Sequence, residues 1–240
     1  MSEQTIYLLI GPPSIGKSTY IKSAFDPSTT TIISRDDIVQ KIALSHGLTY
    51  DDLFEFPPKD TPVGVLVPGF EKFGETIPTN DRLKHISPVS YSNIVDINQV
   101  ADDQLKNKFD SALSLGNDIA IDMTNMKKIS RADFIKQAKS QNENIKVVGV
   151  VFNFQDPDTL DILKKMAERR RIEDLKKGLK KTITPEVFAR IISSYEPPEE
   201  SEGFDAIENV DTLPELRKVA SQLNEIRKFI RNALNEIKLL

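Results

Sequence analysis

The sequence predicts an α/β protein, a three-layer α/β/α sandwich around a parallel sheet of about five strands. Three observations carry that expectation. Short apolar runs alternate with helical patterns along most of the 240 residues. The run from Lys146 to Phe154 is apolar almost without a break, as a parallel strand covered on both faces requires. Between the first apolar run and the first helical pattern stands Gly11-Pro12-Pro13-Ser14-Ile15-Gly16-Lys17-Ser18, a full match to G-x-x-x-x-G-K-[ST].

The elements follow in chain order. Ile6 to Ile10 is short and apolar, a buried strand, and Thr19 to Ala24 suits the first turns of a helix. Thr29 to Ser34 is a β-branched second strand that ends at Arg35-Asp36-Asp37, and Ile38 to Leu44 is helical again. Residues 47–92 break the rhythm with Pro57, Pro58, Pro62, Pro68, Pro78 and Pro88. Proline forbids long helices and most ladder positions, so this insertion is expected to be an irregular lid or wall, with Val63 to Val67 as a short strand. A helical pattern returns from Asn93 to Leu115 and stops at Gly116-Asn117.

Asp118 to Asp122 is the third strand, followed by Met123-Thr124-Asn125-Met126 and a helix over Ser130 to Gln141. After the fourth strand, Asp156-Pro157 opens a helix that runs into Arg169-Arg170-Arg171. Thr184-Pro185-Glu186 opens another, with Thr184 as N-cap, ending near Tyr195-Glu196-Pro197-Pro198, so 156–198 is expected to form a helical lid region. Phe204 to Val210 is the fifth strand. One domain over 1–212 is thus followed by a long helical pattern over 213–240, where Leu216, Val219, Leu223, Ile226, Ile230 and Ile237 recur mostly at intervals of three and four. That stripe either packs over the sheet or serves as a seam for a second copy.

Composition narrows the class. No cysteine is present, which excludes disulfides and thiolate catalysis. The first residues lack a basic region with an apolar core behind it, and no apolar run approaches the roughly 20 residues that span a bilayer, so a cytoplasmic protein without membrane contact is expected. The net charge of −4 argues against a wholly basic surface for nucleic acid. Charge is uneven, however: Lys164 to Lys181 holds nine Lys/Arg against three acidic residues, whereas Glu196 to Asp211 holds seven acidic residues and no basic one.

The chemistry starts at the glycine-rich stretch. Gly11 and Gly16 permit backbone angles that a Cβ would penalise, so successive N–H groups can turn around an anion at the positive end of a helix. Gly11, Ser14, Ile15, Gly16, Lys17, Ser18 and Thr19 are therefore the expected nucleotide-binding residues. Lys17 suits the β- and γ-phosphates of ATP, and the Ser18 hydroxyl suits Mg²⁺, a hard cation that takes oxygen ligands. In open α/β sheets the ligand lies beyond the carboxyl ends of the strands, which directs Asp36 and Asp37 to the same crevice as the loop. Either could accept the proton of an attacking hydroxyl, and either could instead cap the helix that follows. Asp122 could hold Mg²⁺ through water, touch the acceptor or simply form a turn. Thr124 and Asn125 could cap a helix or bind the acceptor. Consecutive residues on a helix point about 100° apart, so one or two of Arg169, Arg170 and Arg171 could serve as an arginine finger in cis while the rest stay solvated. His46 and His85 are assigned no role.

Taken together, Gly11 to Ser18, Ser34-Arg35-Asp36-Asp37, Asp122-Met123-Thr124-Asn125 and the arginine triplet, in this order, resemble the polynucleotide kinase-like family of P-loop kinases over about residues 4 to 212. The resemblance implies that Asp36 is the general base that activates a 5′-hydroxyl of a nucleic acid acceptor, with Lys17, Ser18 and Arg169 or Arg170 handling ATP and Mg²⁺. It places Asp37, Asp122, Thr124, Asn125 and Arg131 on the acceptor side. One departure stands out: phage members carry an arginine three residues after the catalytic Asp, and here that position is Val39. The family also holds kinases of 5-hydroxymethyluridine in phage DNA and toxin-type kinases of a nucleotide sugar. A nucleic-acid kinase, a small-molecule kinase and a nucleotide-binding regulatory protein are the three readings the residues allow.

Overall fold

The computed structural model describes residues 4–45, 88–179, 183–212, 214, 216–218 and 221. In chain order its elements are β1 (Thr5–Ile10), α1 (Lys17–Ala24), β2 (Thr30–Ser34), α2 (Arg35–Ser45), α3 (Pro88–Leu115), β3 (Asp118–Asp122), α4 (Lys128–Gln141), β4 (Lys146–Phe152), α5 (Pro157–Lys176), α6 (Pro185–Ser193) and β5 (Ala206–Val210), with a 3₁₀ turn at Glu200–Glu202. The strands form one five-stranded sheet in the order β2-β3-β1-β4-β5. The α/β fold with a parallel sheet is therefore as the apolar runs predict.

Burial explains the order of strands. In β1, Ile6, Leu8, Leu9 and Ile10 are all fully buried, which only a central strand covered on both faces can be. It pairs in parallel with β3 (Ile6 opposite Ile119, Leu8 opposite Ile121) and with β4 (Ile6 opposite Val147, Ile10 opposite Val151). β4 is buried from Val147 to Phe152, and its Gly149 leaves room for Phe204, whose ring would sit 3.1 Å from any Cβ there. β5 pairs in parallel with β4 and closes that edge, with its own residues largely at the surface.

The order fixes where a ligand belongs. From β1 the chain leaves towards β2 on one side of the sheet order, and from β4 it leaves towards β5 on the other. The crevice of such a sheet lies where adjacent strands send their connections in opposite directions, beyond the carboxyl ends of β1 and β4.

The chain divides into two compact units. The first takes Met1–Ile32, Gly116–Arg171 and Ile183–Leu240, and it contains β1, α1, β3, α4, β4, α6 and β5. The second takes Ile33–Leu115 and Ile172–Thr182, with α2 packed on α3. On α2 the buried residues Ile38, Val39, Ile42 and Ala43 share one face at helical spacing, and Arg35 Nε donates to Asp102 Oδ1 of α3 at 2.7 Å.

One boundary differs from expectation, and two expectations fall wholly or mostly outside the described residues. α3 starts at Pro88, so the last residues assigned to the proline-rich insertion are helical; proline suits the first turn of a helix, where its missing N–H has no partner to lose. The short strand expected over Val63 to Val67, and both histidines, lie outside the described residues. Of the stretch 213–240, residues 214, 216–218 and 221 are helical; Leu216 is buried in the core of the first unit and its N–H reaches Thr212 O at 3.0 Å. The remainder of the expected seam lies outside the described residues.

Candidate functional site

The loop between β1 and α1 is built as its residues dictate. Ser14 and Gly16 have positive φ, 67° and 106°, and Gly16 caps α1 without a side chain. Alternation of that kind turns successive N–H groups inward, and the first turn of α1 carries no acidic residue to occupy its positive end. Ile15 is anchored in the core at 2% exposure, which lets the loop arch over it. At Gly11 a Cβ would lie 3.0 Å from Phe152 Cβ and 3.2 Å from Ile15 Cγ2, so only glycine fits. Lys17 is 9% exposed, and its ammonium bends back over the loop to donate to Gly11 O and Pro12 O, each at 2.8 Å. An ammonium held over a loop of this shape is placed where a phosphate oxygen could be bound. Thr19 sits exposed one residue beyond Ser18, its N–H on Gly16 O.

Ser18 lies at the surface with its Oγ donating to Asp122 Oδ2 at 3.2 Å. Asp122 is the last residue of β3, the strand beside β1, and the parallel register carries both strand ends to the same edge. A hydroxyl and a carboxylate oxygen beside an anion cradle are the donor set that fits Mg²⁺, which binds through one or two protein oxygens and completes its shell with phosphate oxygens and water.

The turn after Asp122 is tied to the loop. Gly11 N–H donates to Thr124 O at 3.0 Å, and Asn125 Nδ2 donates to Leu9 O at 2.9 Å. Two expectations are corrected here. Asn125 neither caps α4, whose cap position is Lys127, nor faces an acceptor: it is 1% exposed, in the left-handed region at φ 45°, and locked to β1. Arg131 also cannot reach a substrate. Its side chain is wholly buried, with Nε and Nη2 on the two carboxylate oxygens of Glu202 at 2.8 and 2.6 Å and Nη1 on Asn125 O and Glu196 O, both at 3.0 Å. Protein acceptors take its donors, so its role is internal. Thr124 keeps its side chain at the surface.

The aspartates at the start of α2 are positioned by Ser34. Its Oγ accepts the Asp37 N–H at 3.3 Å, so Ser34, and neither Asp36 nor Asp37, is the cap. Both carboxylates stand in the first turn, where the helix dipole favours negative charge. In the same unit Lys108 of α3 lies in the fields of Lys41 and Asp37; partial burial and Lys41 push its ammonium pKa down, and Asp37 pulls it up. Val39, at 3% exposure, is packed with the apolar face of α2.

The arginine triplet divides as helix geometry requires. Arg171 folds back on Glu168, Nε and Nη2 each 2.7 Å from its carboxylate oxygens, and this pair lowers the Glu168 pKa. Arg169 is half-buried and Arg170 exposed.

A cavity of about 320 Å³ opens at the carboxyl end of β4, lined by Phe152, Asn153, Phe154, Asp156 and Tyr195 among others. The rings of Phe154 and Tyr195 meet edge-on with centroids 4.9 Å apart. Phe152 belongs both to this lining and to the packing against Gly11, so the cavity adjoins the loop. No local pattern marked these residues beforehand, because their proximity comes from the strand order. Glu202 was equally hidden within an acidic run.

A family model described as an AAA domain matches residues 6–198. No curated protein matches the chain. Among solved structures, a candidate kinase from Chloroflexus aurantiacus J-10-fl is 12% identical with a TM-score of 0.50, over 95% of this chain and 98% of that one. The likeness is one of fold. A structure from the PezAT chromosomal toxin-antitoxin system of Streptococcus pneumoniae is 14% identical with a TM-score of 0.48, over 88% of this chain and 69% of that one. A gluconokinase from Sinorhizobium meliloti 1021 is 12% identical with a TM-score of 0.38, over 93% and 98%. No helix among the described residues is long and apolar enough to cross a membrane.

Proposed function

The chain belongs to the AAA domain family, and from that premise we propose that it is an ATP-dependent phosphotransferase of the polynucleotide kinase-like kind, moving the γ-phosphate of ATP to a hydroxyl. The observation that carries this reading is the pairing of a loop arched for an anion with Ser18 Oγ and Asp122 Oδ2 at 3.2 Å. Lys17, already bent over the loop, exchanges two carbonyls for the triphosphate. Ser18 and Asp122 would hold Mg²⁺, which when bound neutralises charge on the phosphate oxygens. The cavity at the carboxyl end of β4, beside the loop, is the place we assign to the nucleoside.

Asp36 is assigned the proton. What supports this is the Arg35-Asp36-Asp37 turn at the end of β2, where the cap on the Asp37 N–H is the Ser34 hydroxyl. As the acceptor oxygen forms its bond to the γ-phosphorus, its proton passes to Asp36, the bond to the bridging oxygen breaks, and that electron pair leaves on ADP. Arg169 or Arg170 would spread charge on the transferred group.

For the acceptor, the Arg35-Asp36-Asp37 and Asp122-Met123-Thr124-Asn125 turns and the basic stretch of Lys164 to Lys181 support a nucleic acid, first a 5′-hydroxyl end and next a hydroxymethyl base. A small-molecule acceptor is the second reading, and Val39 favours it: the residue standing where phage kinases have their arginine is packed in an apolar face and offers no grip on an acceptor phosphate.

One panel separates these readings: transfer of radiolabelled γ-phosphate to 5′-hydroxyl oligonucleotides, to hydroxymethyluridine DNA, and to a mixture of nucleosides, sugars and nucleotide sugars. Label on the oligonucleotides supports the first reading, and label confined to the mixture overturns it for the second. No transfer in any lane, with ATP bound, points to a regulatory nucleotide-binding protein. Oligonucleotide affinity should also fall steeply with salt if the basic stretch meets phosphates.

A further inference from the structure

Resting on the assignment of Ser18 and Asp122 to Mg²⁺, we propose that Arg131 is a positioning residue for the metal–triphosphate site, acting through the turn Met123-Thr124-Asn125. The turn is held from two directions. On one side it is bonded to the end of β1 and the first residue of the loop, through Asn125 Nδ2 to Leu9 O at 2.9 Å and Gly11 N–H to Thr124 O at 3.0 Å. On the other side Arg131 Nη1 donates to Asn125 O at 3.0 Å, while Glu202 grips the rest of the guanidinium through both carboxylate oxygens. Asp122 directly precedes this turn, and the loop it is bonded to leads into α1, whose second residue is Ser18.

The chemistry of the network argues for a function beyond holding the fold. The side chains of Arg131 and Glu202 are 0% and 2% exposed, and two charges taken out of water return little net stability compared with apolar residues of the same volume. What such a pair does supply is one fixed arrangement. Asn125, a residue type that tolerates the left-handed region better than most, sits there at φ 45° and is held by its side-chain bond to Leu9 O on one side and by Arg131 on its carbonyl. A planar guanidinium can bind two carboxylate oxygens and two carbonyls at once, and an ammonium at the same place cannot. The spacing of Ser18 and Asp122 therefore depends on residues that never touch the ligand.

The test compares wild type with Asn125→Gly, Arg131→Lys and Glu202→Gln. Glycine keeps the left-handed backbone without strain and removes only the side-chain bond to Leu9, so this variant keeps the test open should Arg131→Lys not fold. Binding of a fluorescent ATP analogue is titrated with Mg²⁺, repeated in chelator, and set beside the thermal midpoint. The Mg²⁺ concentration at half-saturation should rise about ten-fold in the variants, in line with other residues that orient metal ligands from behind, while binding in chelator changes little. Lowered thermal midpoints with wild-type Mg²⁺ dependence would make the network a stability element only and overturn the proposal. A wild-type chain whose nucleotide binding ignores Mg²⁺ overturns the metal assignment itself, and the inference with it; that failure shows in the wild type, so the two are told apart.

Discussion

Ser18 and Asp122 are separated by 104 positions in the chain, yet the hydroxyl of the first donates to the carboxylate of the second at 3.2 Å. The contact exists because β1 and β3 are neighbours in parallel register, so the loop leaving one strand meets the last residue of the other. Ser18→Ala and Asp122→Asn each remove one oxygen or one charge from the pair at positions that are not buried, and both should fold normally. Each is expected to weaken Mg²⁺-dependent nucleotide binding about ten-fold or more, by analogy with loss of other groups that serve a metal site. Calorimetric titration with and without Mg²⁺ reads this directly; equal affinity of wild type and Asp122→Asn in saturating Mg²⁺ would remove Asp122 from the site.

Gly11 is needed for space rather than for an unusual φ. Alanine there would place its Cβ 3.0 Å from Phe152 Cβ, and neither backbone-anchored atom can swing away. Gly11→Ala should cost ~1–3 kcal/mol, as overpacking of a tight interior does, and should shift the Gly11–Thr124 bond that ties the loop to the turn. Urea denaturation measures the first effect. Gly16→Ala is a useful partner because nothing lies within 4 Å of its Cβ position and its φ of 106° alone opposes the change. Its cost, about 1–2 kcal/mol, is backbone strain without a clash.

Capping and proton transfer separate at the start of α2. Ser34→Ala removes the cap on the Asp37 N–H and should lower stability by about 1 kcal/mol with transfer retained in the folded fraction. Asp36→Asn should do the reverse: stability lowered by no more than about 1 kcal/mol through the lost charge at the helix N-terminus, unchanged ATP affinity, and transfer down by a factor of roughly 10² to 10⁴, the usual contribution of a positioned base. Full transfer by Asp36→Asn would move the base elsewhere, with Asp37 the first place to look.

Much of this architecture was legible in the residues, for local reasons. Apolar runs such as Lys146 to Phe154 mark buried strands, and the glycine pattern from Gly11 to Ser18 carries its own backbone requirements, so strand, loop and helix could be placed without tertiary knowledge. What could not be read were choices made by partners distant in the chain. Arg131 has the look of a substrate-facing cation until Glu202, 71 residues on, is seen to take it inside. Asn125 follows a strand and reads as a cap or a ligand; the carbonyl it serves, Leu9 O, is 116 residues away. Ser34 was the nearest miss, since a serine directly before Arg35-Asp36-Asp37 is a cap by the ordinary rules and the carboxylates beside it drew the role instead.

Asp205 gives the protein an acid limb. Its Oδ2 accepts from Lys139 Nζ at 2.6 Å and from the Val147 N–H at 2.7 Å, joining α4 to the start of β4. Burial pushes its pKa up, but Lys139 and the Val147 N–H outweigh that and leave it below the ordinary value. A carboxylate with a lowered folded pKa contributes stability that is fully present above its unfolded pKa of about 3.9 and is lost as pH falls through the folded value. Because the Asp205 and Lys139 side chains are 39% and 26% exposed, the ion pair itself should supply under about 1 kcal/mol, with the Val147 N–H adding a charge-assisted bond of about 1.5–3 kcal/mol. Asp205→Asn should therefore be less stable than wild type at pH 7, and the gap should close as the pH is taken below about 4, where the wild-type carboxylate also takes up its proton. Urea midpoints measured across pH 2 to 7 test this, and a gap that stays constant through the acid range would show that packing at residue 205, rather than its charge, carries the effect.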